Sequence, residues 1–128
     1  MSDPSQLEAA AAVARGQAGL RALVLFGSRA RGDERPGSDW DFGYLGKPDP
    51  DALAGALMSA LGADDVQVVD LERASGLLRF RAARDGIALH EDPPGAFPDF
   101  QFEAARFWCD AGPILEGAYQ RVLEDYAP

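Results

Sequence analysis

Two short clusters in this sequence are able to do chemistry together. Gly27-Ser28-Arg29-Ala30-Arg31-Gly32 has the make-up of a phosphate cradle, and Ser38-Asp39-Trp40-Asp41, after a polar loop containing Pro36 and Gly37, carries carboxylates at alternate positions. Alternate residues of a strand project from one face, so Asp39 and Asp41 point the same way if 38–45 is extended, and the like charges repel. A cation relieves that repulsion, and oxygen ligands of this kind suit Mg²⁺ held jointly with substrate phosphates. A Gly-Ser turn between a strand and a short helix exposes backbone N–H groups that stabilise an anion, and the Ser28 hydroxyl adds a donor. Gly-Ser alone is most often just a turn, and an Asp-X-Asp pair is often simply solvated; the combination carries the reading. Asp70, at the end of another apolar run, is expected to converge on the same turn as a third carboxylate, the constellation of a two-metal site.

The surrounding pattern supplies elements to position these groups. Leu20 to Phe26 is a compact apolar run stopped by Gly27, read as a buried strand feeding the glycine loop, and a second strand begins near Asp39. Before them, Pro4 after Asp3 marks the start of a helix, Ala-rich over Leu7 to Gln17. Asp49-Pro50-Asp51 is a helix start with cap, proline and first-turn acid, and Leu53, Ala56, Leu57, Ala60 and Leu61 recur at helical spacing until Gly62. Asp65 to Leu71 reads as a third strand ending at Asp70, Glu72 to Asp85 as a helix stopped by Gly86, and Ile87 to His90 as a fourth, edge strand. An aromatic tail follows Pro93-Pro94, with Pro113 separating two helices and Ile114 to Tyr126 forming the last. Arg79, Arg81 and Arg84 are expected on a solvated helix face, His90 as a strand filler and Cys109 as a buried apolar residue.

Gly-Ser, ten intervening residues and Asp39-Trp40-Asp41 form the Gly-Ser-X10-Asp-X-Asp signature, and over residues 20 to 91 the chain resembles the DNA-polymerase-β-like nucleotidyltransferases. Within them it looks like the minimal branch that includes MntA-like antitoxins, encoded beside HEPN-domain ribonuclease toxins. The resemblance implies an α/β (α+β) fold, a small mixed sheet flanked by helices. It implies a nucleotidyltransferase domain over 1–95, and 96–128 as a C-terminal helical extension packed on it. It implies that Asp39 and Asp41 bridge two Mg²⁺ ions, that Asp70 completes one of them, and that Gly27 and Ser28 hold the terminal phosphates of ATP. Arg29, and after it Arg31, are the arginines considered for the triphosphate; the ordinary role of such residues in a short helix is pairing with local acids such as Asp33 or Glu34. The implied reaction is adenylylation of a tyrosine of a HEPN toxin, with which the chain forms a hetero-oligomer.

Composition narrows the remaining classes. A chain of 128 residues suits one domain with a real core. Its longest apolar runs, Ala9 to Ala14 and Ala22 to Phe26, are too short to cross a bilayer, and Asp3 and Glu8 are unlike a secretory signal. The single cysteine allows no internal disulfide, so the cytoplasm is the expected compartment and no membrane partner is expected. A net charge of −9 works against direct nucleic-acid binding, which needs clustered Lys and Arg. The competing functions are a nucleotidyltransferase for an aminoglycoside-type small molecule and an antitoxin that acts by binding alone with a vestigial site. Against the first, the chain has little room for the extra helical domain that usually builds such an acceptor pocket.

Overall fold

A computed structural model describes residues 3–108, and helix α1 opens the chain over Pro4–Arg15. It starts at Pro4, as expected, and Asp3 caps it. The Ser5 N–H donates to Asp3 Oδ1 at 2.9 Å, the Asp3 N–H donates to Gln6 Oε1, and Pro4 sits in the first turn. Strand β1, Leu20–Phe26, and the four-residue helix α2, Ser28–Arg31, follow, then strand β2, Trp40–Gly46. Helix α3, Pro50–Leu61, is capped by Asp49, whose Oδ1 accepts from the N–H groups of Asp51 and Ala52. Strand β3, Val66–Asp70, leads to helix α4, Gly76–Asp85, and strand β4, Ile87–Glu91, after which a helix α5 runs over 96–108. Helix α4 begins later than expected. Residues 71–75 turn instead, with the Glu72 N–H on Asp70 Oδ1, and Ser75 Oγ caps the helix by accepting from the Leu78 N–H. The expected helix beyond Pro113 lies outside the described residues, as does Cys109.

The four strands form one mixed sheet in the order β3-β2-β1-β4. β1 pairs antiparallel with β2 and β4, and β2 pairs parallel with β3, so the expected edge position of β4 holds. Strand alternation then sends β2 side chains two ways. Trp40, Phe42 and Tyr44 enter an apolar layer with Leu23 and Leu25 of β1, Ala10 and Ala14 of α1, and Leu53 and Leu57 of α3. The other face packs Ala22, Val24 and Phe26 against Leu71, Ala82 of α4, and Ala96, Phe97, Phe100 and Ala104 of α5. The tail aromatics therefore divide, Phe97 and Phe100 in the core and Phe102 and Phe107 exposed.

Gly43 on β2 shows how tightly this second face is closed. A Cβ placed there meets the Leu71 side chain, itself fully buried, at 2.6 Å. Gly43→Ala is expected to destabilise the fold by about 1–3 kcal/mol, the range of an overpacked core, and urea unfolding measures it.

Candidate active site

The antiparallel register of β1 and β2 opposes Phe26 to Asp41. This brings the Gly27-Ser28 turn, at the end of β1, beside the Asp-X-Asp pair, at the start of β2. Gly27 has φ 75° and ψ −158°, a conformation that disfavours any residue with a Cβ, and a Cβ there would collide with Asp41 Oδ2. The bare glycine is thus what lets the turn and the carboxylate share one site.

A cleft of about 420 Å³ opens here between the sheet and α4. Gly27, Ser28, Asp39 and Asp41 line it, with Gln67 and Val69 from β3 and Leu78, Arg81 and Asp85 from α4. Arg31 and Ser38 complete the polar rim. The two carboxylates differ in setting: Asp39 is exposed, whereas Asp41 is half-buried, and burial followed by repulsion from Asp39 pushes the Asp41 carboxyl above the usual range. That destabilised charge, in an all-oxygen donor set, fits a hard divalent cation. Among the described residues, no group of three or more His, Cys, Asp or Glu side chains is suited to holding a metal ion.

The structure does not bring Asp70 to this cleft. In the parallel register Asp41 is opposite Gln67, while Asp70 is opposite Tyr44, farther along the strand and, by alternation, on the other face. Asp70 instead accepts from the Glu72 N–H, lies 3.9 Å from Arg73 and lines a separate cleft with Lys47 and Glu72. The residue of β3 that faces the pair is Gln67. Arg29 is also placed outside the lining residues. Its Nε and Nη2 donate to the Ser38 carbonyl at 3.2 and 2.8 Å, and its guanidinium lies 4.1 Å from the centre of the Trp40 ring. It ties the Gly-Ser turn to the start of β2 and does not line the cleft.

The cleft's cations are Arg31 and Arg81. Arg31 lies 3.3 Å from Asp33 and 4.0 Å from Asp85, and Asp85 takes a bidentate pair of bonds from Arg84 at 2.9 and 2.8 Å, which holds its carboxyl below the usual range. The signal for Arg81 in the sequence was its place, three residues after Leu78 on a helix, which puts both on one side of α4.

Residues 8–94 match the polymerase beta nucleotidyltransferase family. The chain is 36% identical over 96 residues to the protein adenylyltransferase MntA of Aphanizomenon flos-aquae (strain 2012/KM1/D3), a match spanning 64% of this chain and 64% of that protein. A crystal structure of a toxin-antitoxin with AMP-PNP superposes with a TM-score of 0.74 at 25% identity, covering 91% of this chain and 98% of that one. A structure of tri-AMPylated Shewanella oneidensis HEPN toxin with MNT antitoxin superposes with a TM-score of 0.67 at 23% identity, covering 92% and 96%, a likeness of fold.

Two outcomes follow from the geometry. Gly27→Ala is expected to cost about 1–3 kcal/mol in urea unfolding, from backbone strain and the collision with Asp41. Asp41 binds its proton more tightly in the fold than in the unfolded chain. The contribution of Asp41 to wild-type stability should therefore fall as pH rises from the ordinary value of 3.8 through the folded Asp41 value, then level off. Asp41→Asn should lack that fall and melt a few degrees higher than wild type at pH 7, as thermal scans across pH would record.

Proposed function

Because the chain belongs to the polymerase beta nucleotidyltransferase family, we propose that it is an antitoxin that transfers AMP from ATP to a tyrosine of a HEPN-domain toxin. The observation that carries this is the convergence of Gly27 and Ser28 with Asp39 and Asp41 in one cleft. The adenylyltransferase relative and the toxin-antitoxin structure with AMP-PNP support the nucleotide and the class of acceptor. The cytoplasm is the proposed compartment; no helix among the described residues is long and apolar enough to cross a membrane. Residues 96–108 are read as an extension of the same domain, supported by Phe97 and Phe100 in its core; the rest of the expected extension, 109–128, lies outside the described residues.

Asp39 and Asp41, with phosphate oxygens of the nucleotide, would hold the Mg²⁺ ions, two of which are expected in this chemistry. When bound there, Mg²⁺ would supply Lewis acidity that lowers the pKa of an attacking hydroxyl and offsets charge on the leaving group. The Gly27 backbone, having no Cβ, lets a phosphate approach closely, and the Ser28 hydroxyl donates to one of its oxygens. Arg31 and Arg81 face the cleft as counter-charges for the departing pyrophosphate. The tyrosine oxygen attacks the α-phosphorus in line, the new O–P bond forms as the bond to the β-phosphate oxygen breaks, and the phenolic proton passes to water. No side chain of this protein becomes covalently modified.

ATP labelled at the α-phosphate is expected to label a purified HEPN toxin, and ATP labelled at the γ-phosphate to leave it unlabelled. Asp39→Asn with Asp41→Asn should lower the α-label transfer by roughly 10³-fold or more. Transfer from the γ position alone would mean a kinase. Among the described residues no third carboxylate is grouped with Asp39 and Asp41, which favours one second reading, an antitoxin that works by binding. Full neutralisation of the toxin by the doubly substituted protein at matched expression would select that reading over catalysis.

A further inference from the structure

We infer that Gln67 is the third oxygen donor of the metal site, a neutral amide where the arrangement leaves room for a carboxylate; this rests on Asp39 and Asp41 being the metal ligands. β3 runs parallel to β2 with Gln67 opposite Asp41. Neighbouring strands lie about 4.8 Å apart, and residues in register project from the same face. The Gln67 side chain therefore stands next to Asp41 over the cleft, which it lines together with Asp39 and, two residues on, Val69. Gln67 is exposed on an edge strand.

The amide suits such a site. An amide offers both an NH₂ donor and a carbonyl acceptor, and the carbonyl end is able to ligate a hard cation. What it lacks is charge. The protein contributes two formal negative charges in place of three, and affinity for a hard divalent ion depends on the count of charged ligands. The ion is consequently held loosely by the protein alone, and the triphosphate makes up the difference when it binds. Metal and nucleotide are coupled by this deficit, each raising the affinity of the other by the same factor.

The test is calorimetric titration of the full chain with Mn²⁺ alone, in wild type, Gln67→Asp, Gln67→Ala and Asp70→Asn, each first checked for an unchanged melting curve. Gln67→Asp should bind Mn²⁺ about tenfold more tightly than wild type, the effect of one added ligand charge near the surface. Gln67→Ala should bind it a few-fold more weakly, and Asp70→Asn as wild type does. Equal affinity in wild type and Gln67→Asp, or loss of binding in Asp70→Asn, overturns the inference. The readout is separate from catalysis. Label transfer to the toxin with no gain in Gln67→Asp defeats only the assignment of Gln67, whereas a gain in Gln67→Asp without transfer defeats only the adenylyltransferase reading.

Discussion

The alternation of β2 is the constraint on which the rest depends. Trp40, Phe42 and Tyr44 are buried against α1 and α3, and that burial forces Asp41 to the opposite face. Fully burying one large apolar side chain is worth about 1.5–3 kcal/mol, so the three outweigh the cost of one half-buried carboxylate. A slip of one residue would send the aromatics to the cleft and Asp41 into the core. The register that places the carboxylate is thus fixed by residues that take no part in chemistry.

The neighbours of β2 turn that one orientation into a site. β1 delivers the glycine turn because its last residue, Phe26, is opposite Asp41, and α2 returns the chain through Arg29 to the Ser38 carbonyl. Arg29 also covers the Trp40 ring, so the aromatic that sets the register and the loop that carries Asp39 are held by one guanidinium. On the open face α4 brings Leu78, Arg81 and Asp85, an apolar floor with charge at its edge. In a chain of net charge −9, cations placed at the cleft matter more than the overall balance, because salt screens the more distant charges from a triphosphate bound there.

Much of this was legible without coordinates, and the two misplacements have one physical origin. The Gly-Ser turn, the Asp pair, four strands and the helix capped by Asp49 all announce themselves through local signals, namely glycine, caps and apolar period. Asp70 does not, because β3 is an edge strand in which Val66, Val68 and Val69 break strict alternation, so the sequence says where the strand is and not which residues face the pair. Only the pairing with β2 selects Gln67. Arg29 and Arg31 pose the same problem on a helix of one turn, where facing depends on a backbone set by Gly27 and Gly32 and not on a repeating pattern.

The same pairing explains why Gly27 and Asp41 form a linked unit. A residue with a side chain at 27 would relieve the backbone's unusual φ only by moving the turn away from β2, and the space it needs is occupied by the Asp41 carboxylate. Removing that carboxylate would ease the electrostatic cost and leave a more stable protein. The glycine-only backbone and the repulsion therefore meet at two neighbouring positions of an otherwise locally consistent fold, and the surrounding packing of β2 is what keeps them together. A site of this design draws its precision from the apolar face of the sheet, so substitutions among Trp40, Phe42 and Tyr44 act on the geometry of the cleft without touching it.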